Sequence, residues 1–352
     1  MKLAHTLPIV SALLLSTAGM PAQAAEGVIA SIKPVHSIVS AIMQGAGEPA
    51  LIVKGAASPH AYSMRPSEAA SLESAKIVFW VGPELESFLE KPLETLGQGA
   101  RIVELSHASG LTELKLREGG PFEAHEHEAG EHEHEAGKED HGHEDHAAHE
   151  DHDDHHEEAG HEEHAEVDHA DEHHDHDHGE FDMHLWLDPE NARAMANRIA
   201  GVLAESDPAN SALYRRNLAD YEARLDDLIT ETDERLASVR GKPFIVFHDA
   251  YQYYENRFDI PAAGSITVSP ETIPGARRVG EIHDKVEELG AACVFSEPQF
   301  EPKLVEVVTE GTQARAGVLD PLGASLEDGP ELYFELVDNM TASLVDCLSG
   351  QS

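Results

Sequence analysis

Residues 244–249 read FIVFHD. Four apolar residues run without alternation and stop at a histidine and an aspartate. A short apolar run bounded by polar residues suits a strand covered on both faces, as strands of parallel sheets are. Comparable runs are VIASI (28–32), ALIV (50–53), KIVFWVG (76–82), ARIVEL (100–105), ACVFSE (292–297) and AGVLD (316–320). Between them, SIVSAIMQGAG, PSEAASLES, RRVGEIHDKVEELG and PKLVEVVTEGTQ read as helices. Strands alternating with helices, in two separate blocks, predict an α/β protein of two βα lobes, each around a parallel sheet.

The blocks are separated by a helical segment that starts at Asp188-Pro189, a capping residue followed by a proline suited to the first helical turn. Asp207-Pro208 interrupts it. Residues 210–239 then run for 30 residues without proline or glycine, or about 45 Å of helix. That exceeds what one small domain needs, so a long, rigid connector between lobes is expected. The expected division is a first lobe over 25–188, a connector over 189–240 and a second lobe over 241–352.

The chain of 352 residues carries 67 acidic and 24 basic residues, a net charge of −43. Residues 121–180 hold 25 Asp or Glu, one Lys and 18 of the 25 His, and so −24 of that charge. A surface this acidic repels nucleic acid and anionic membranes and attracts cations, so nucleic acid is no expected partner. The segment lacks the large apolar residues that offset ordering entropy. It reads as an insertion, residues 121–179, disordered without metal. Within it His143, His146, His149, His152 and His155 recur every three residues, and His161 and His164 follow. Such a chain closes small cation-binding loops at little entropic cost, so these histidines are expected to form accessory, weaker sites.

At the N-terminus, Lys2 precedes an apolar run and the small-residue pattern Ala22-Gln23-Ala24. This is the signature of a secretory leader over 1–24. Export favours pairing of the two cysteines, Cys293 and Cys347. A bridge closing a loop of that size contributes roughly 4 kcal/mol on the chain-entropy account; two buried free thiols are the alternative.

Six histidines lie outside leader and tract: His36, His60, His107, His184, His248 and His283. His248 ends the run FIVF, His60 follows ALIV through a short loop, and His184 sits in FDMHLW. Parallel sheets place ligand sites beyond the carboxyl ends of their strands, so three imidazoles from both blocks can converge in a cleft between the lobes. Three neutral imidazoles and one oxygen complete a tetrahedral Zn²⁺ shell at about 2.0–2.2 Å. Asp320, at the end of AGVLD, is the candidate oxygen and water its competitor. A single histidine beside an apolar run is more often structural, and the spacings of 124 and 64 residues form no compact motif. His36 is a candidate for a supporting place, and His107 and His283 read as surface residues.

The stretches SIKPVHSI, ASPHAYSMRPSE, VFWVGPELESF, FDMHLWLDPENA, VFHDAYQYYENRF, ETIPGARR, FSEPQF and LDPLG, in this order, resemble the ZnuA-type proteins. These are periplasmic zinc-binding components of ABC uptake systems, in the cluster A-I (cluster 9) solute receptors. The resemblance spans essentially the whole chain after the leader. It implies two βα lobes joined by a rigid helix, with zinc held between them by His60, His184 and His248. Relatives specific for manganese have glutamate where this chain has His248, and imidazole is the softer ligand that suits zinc. Some ZnuA-type proteins have an acidic ligand just before the first histidine. This chain has Pro59 there, which leaves the fourth position to Asp320 or water. The resemblance also supports a Cys293–Cys347 bridge between the last helix and a strand.

The function implied is capture of zinc in the periplasm and delivery to an ABC permease of the inner membrane, by a monomer, with a periplasmic zinc chaperone as a further partner. The alternatives are a receptor for manganese or another divalent metal, a zinc hydrolase and a metal store. A hydrolase needs an open coordination position and a base, and no HExxH occurs in the chain.

Overall fold

The computed structural model describes residues 26–117, 122, 180–267, 274–300 and 302–350. The expected leader and, apart from Phe122, the insertion with its seven named histidines lie outside the described residues.

Two four-stranded parallel sheets carry the fold. In the first, β1 (Val28–Ala30), β2 (Ala50–Leu51), β3 (Ile77–Trp80) and β4 (Arg101–Glu104) lie in the order β2-β1-β3-β4. In the second, β5 (Phe244–His248), β6 (Gly264–Thr267), β7 (Cys293–Ser296) and β8 (Arg315–Val318) repeat that order as β6-β5-β7-β8. Central strands pair on both sides: Ile29 faces Ala50 and Val78, and Ile245 faces Gly264 and Val294. Parallel neighbours need crossovers. Helices α1 (Lys33–Met43), α2 (Pro66–Glu73) and α3 (Ser87–Thr95) supply them in the first sheet, and α6 (Gln252–Phe258), α7 (Ala276–Leu289) and α8 (Lys303–Thr309) in the second.

The intervening segment forms two helices, α4 (Pro189–Ser206) and α5 (Ser211–Leu236). Asp188 caps α4 by accepting from the Glu190 amide at 2.9 Å, and Pro189 opens it. Arg257 of α6 forks the same carboxylate at 2.6 and 2.7 Å. The second helix stops three residues short of expectation. The Val239 and Arg240 amides both bond the Leu236 carbonyl, which tightens the last turn before Gly241 at φ 76°. Helix α5 packs on α1, on α6 and on the last helix, α9 (Leu332–Ser349).

Strand β5 shows how the core is divided. Phe244 and Val246 join a cluster that also holds β1, β3, α1, α4 and α9 side chains. Ile245 and Phe247 join a second cluster with Val294 and with Ile282 and Val286 of α7. An unbroken apolar run was needed because both faces are covered. Strand β6, Gly-Ser-Ile-Thr, carries one large apolar residue and escaped the sequence pattern for that reason. Cys293 of β7 and Cys347 of α9 form a disulfide.

Two glycines predict opposite responses. A Cβ on Gly317 in β8 would lie 2.5 Å from the ring of Phe295, which is fully buried against Phe244. Gly317→Ala is therefore expected to destabilise by about 1–3 kcal/mol through overpacking. Gly201 is exposed in mid-α4, and an added methyl would meet nothing within 4 Å, so Gly201→Ala should stabilise by about 0.5–1 kcal/mol. Denaturant titration of both variants checks the pair.

Candidate metal centre

Each of the three histidines is presented by a different local device. His60 lies in the short 3₁₀ turn Pro59–Ala61 after β2, where Ser58 Oγ accepts from its amide at 3.3 Å. His184 precedes the 3₁₀ turn Leu185–Leu187. His248 is the last residue of β5, at the point where the second sheet's order reverses direction, the usual place for ligands in such sheets.

The three Nε2 atoms converge. His184 Nε2 lies 3.2 Å from His60 Nε2 and 3.3 Å from His248 Nε2. Ligand atoms of the three lie within 4.8 Å of one another, and among the described residues no other His, Cys, Asp or Glu group does so. Two tetrahedral ligands at about 2.0–2.1 Å from one ion stand about 3.3–3.4 Å apart, so the spacing fits a small tetrahedral cation.

The opposite nitrogens explain the orientation. His184 Nδ1 is 2.7 Å from Asp182 Oδ1, which also accepts from the His184 amide at 2.9 Å. His248 Nδ1 is 2.6 Å from Glu297 Oε1. Both carboxylates are buried, at 1% and 2% exposure. Each places a proton on Nδ1 and leaves the Nε2 lone pair free to ligate. Burial pulls His60 well below the usual imidazole range, and the neighbouring His184 and His248 push the same way. Burial also lowers His248, but the carboxylates of Glu297, Asp249 and Asp182 together outweigh it and leave that imidazole raised.

The space at the centre is small. A cavity of about 10 Å³ is bounded by the three histidines, Pro59, Trp186, Phe300, Pro321 and Leu322. The Trp186 ring lies 5.4 Å from that of His184, and its Nε1 donates to the Pro321 carbonyl at 2.8 Å.

Asp320 is not brought into the three-histidine group. Its Oδ1 accepts from Gln299 Nε2 at 3.0 Å and from the Leu322 and Gly323 amides at 3.2 and 2.9 Å; its Oδ2 accepts from the Ala324 amide at 2.6 Å. The carboxylate shapes the loop beneath the cavity. His36 sits on α1 with Nε2 3.1 Å from the Pro49 carbonyl, away from the three. His107 is exposed, and His283 bonds the Glu310 carbonyl. Sequence reasoning missed Asp182 and Glu297. The one available signal was an acid two residues before His184, and an acid directly after the strand that neighbours the His248 strand.

A family profile described as zinc-uptake complex component A, periplasmic (ZnuA), matches residues 28–347. The chain is 57% identical over 350 residues to the high-affinity zinc uptake system protein ZnuA of Brucella suis biovar 1 (strain 1330), across 99% of this chain and 100% of that one. It is 36% identical over 340 residues to the protein of that name from Yersinia pestis, across 97% and 96%. Among solved structures, a crystal structure of ZnuA is similar with a TM-score of 0.67 at 21% identity, covering 91% of this chain and 98% of that chain. The periplasmic zinc binding protein TroA from Treponema pallidum is similar with a TM-score of 0.66 at 17% identity, covering 91% and 98%; at such identities the likeness concerns the fold. The two parallel sheets, the span of the profile and the end-to-end identity agree: this chain belongs to the ZnuA family of periplasmic zinc-uptake components.

Proposed function

We propose that the protein captures zinc in the periplasm through His60, His184 and His248 and delivers it to an ABC permease of the inner membrane. The observation that carries this reading is the convergence of three Nε2 atoms at the edge length of a zinc tetrahedron. Three neutral imidazoles bring no charge, while Asp182 and Glu297 bring two negative charges next to them, matching a dication. Asp320 is committed to the Pro321 loop, so a water is the favoured fourth ligand. Glu297, buried and bonded to His248 Nδ1, is also among the residues that line the cavity.

The site is read as one for capture, and the cavity of about 10 Å³, small for an ester or peptide beside an ion, supports that reading over hydrolysis. A third imidazole rather than a carboxylate favours zinc over manganese. The family's periplasmic character supports export, with cleavage after Ala24, and the chain acts as a monomer. A zinc chaperone of the periplasm is a further partner. The tract at 121–179 scavenges or buffers zinc in weaker sites that include His143, His146, His149, His152, His155, His161 and His164.

Replacing His184 or His248 by alanine should lower zinc affinity by more than about 100-fold, beyond the loss typical of an outer-shell partner. Competition against a tight chelator measures this, and an unchanged affinity in both variants would overturn the assignment. Deleting residues 122–177 should remove the weaker equivalents in calorimetry and keep one tight equivalent; loss of the tight one would reassign the site to the tract.

The pH dependence follows from the order of titration. Protons compete for an Nε2 only near and below that imidazole's pKa. His248, raised by Glu297, protonates before His60, which burial lowers. Affinity should therefore be highest above neutral pH and fall in acid by about tenfold per pH unit for one competing proton, then more steeply. Chelator competition between pH 8 and pH 5.5 tests the sign and the steepening.

A further inference from the structure

We infer that Arg117 is a positioning residue for the metal centre, setting the distance between the chain segments that carry His184 and His248. Residues 114–117 run antiparallel to residues 180–182. Lys115 pairs with Phe181, the Leu116 amide donates to the Glu180 carbonyl at 3.0 Å, and the Asp182 amide donates to the Leu114 carbonyl at 2.8 Å. Asp182 in this ladder is the residue that orients His184. From the other end of the ladder, Arg117 reaches the segment after His248. Its Nε donates to Asp249 Oδ2 at 3.0 Å and its Nη2 to Asp249 Oδ1. Its Nη1 and Nη2 donate to Glu255 Oε2 and Oε1 at 2.7 and 3.0 Å.

Both pairs are forked, and both acids are nearly buried, at 7% and 4% side-chain exposure. Asp249 directly follows the ligand His248, and Glu255 belongs to α6, the helix that begins three residues later. The same helix grips the ladder twice more. Tyr253 Oη donates to the Asp182 carbonyl at 2.7 Å, and Gln252 Nε2 donates to the Lys115 carbonyl at 3.0 Å. One short strand thus braces both histidine arms, and Arg117 is its charged attachment to the His248 arm. A planar guanidinium can fork two carboxylates at once, which an ammonium cannot.

The functional meaning of this brace rests on the zinc reading above. The test uses the full chain, loaded with zinc and mixed with excess EDTA. The readout is tryptophan emission, because Trp186 lies against His184 and residues 121–179 contain no tryptophan. Trp186→Phe should abolish the signal. Arg117→Gln and Arg117→Lys are each expected to release zinc about tenfold faster, the lower end of outer-shell effects. In a background with both partners neutralised, Asp249→Asn with Glu255→Gln, Arg117→Gln should add less than about twofold, since both of its forked contacts are already lost. A purely structural arginine would lower the melting temperature and leave the release rate of the folded protein unchanged. Release within about twofold of the unaltered chain in both variants, full recovery by lysine, or additivity with the Asp249→Asn, Glu255→Gln pair would overturn the positioning role. Absence of any zinc-dependent emission change in the unaltered chain would overturn the zinc reading and this inference with it.

Discussion

Two buried hydrogen bonds, Asp182 to His184 and Glu297 to His248, are what the metal centre depends on. An imidazole has two nitrogens and one proton to divide between them. A buried carboxylate at Nδ1 settles the division and turns the lone pair of Nε2 inward. Those carboxylates also bring two negative charges into a buried pocket, which costs free energy unless a cation is near. The arrangement therefore favours a dication and, in its absence, a proton. The raised His248 reflects the carboxylate side of that competition, while His60 is lowered by burial and by its two neighbouring imidazoles.

The fold determines where such contacts can form. Each sheet reverses its strand order beside its first strand, and the crossovers leave a crevice at the carboxyl ends there. His248 ends β5 and Glu297 follows β7, so the reversal itself brings ligand and supporting acid together. His184 arrives differently, on a ladder paired with residues 114–117 that belongs to neither sheet. The His184 and His248 rings are thus held by separate pieces of backbone, and cross-bracing between those pieces matters as much as either alone. Tyr253, Gln252 and Arg117 supply it from one side, and Trp186 bonded to the Pro321 carbonyl supplies it from another.

Asp320 shows how a plausible ligand is diverted. It stands at the cleft edge where a strand ends, as its position in AGVLD suggests. The following Pro321 turn presents three amides, at residues 322–324, all of which donate to the carboxylate, and Gln299 Nε2 is a fourth donor to it. Backbone donors two to four residues away compete effectively for an aspartate. Nothing in a linear pattern distinguishes an acid that faces an ion from one that caps its own loop.

Residue order alone determined the α/β class and most strands, and it marked His60, His184 and His248 as candidates that only the family resemblance singled out. A continuous apolar run can only be buried on both faces, and a histidine closing such a run stands at a sheet's ligand-binding edge. The proline and cap at Asp188-Pro189 were equally legible, because local backbone chemistry decides them. Strand β6 was not, since its burial comes from neighbours and not from its own Gly-Ser-Ile-Thr. Nor were Asp182 and Glu297 as partners, the diversion of Asp320 or the reach of Arg117 to Asp249 and Glu255. Those are contacts between groups up to 138 residues apart. A side chain's partner at that range is set by how helices and sheets pack, and packing is a property of the whole folded chain.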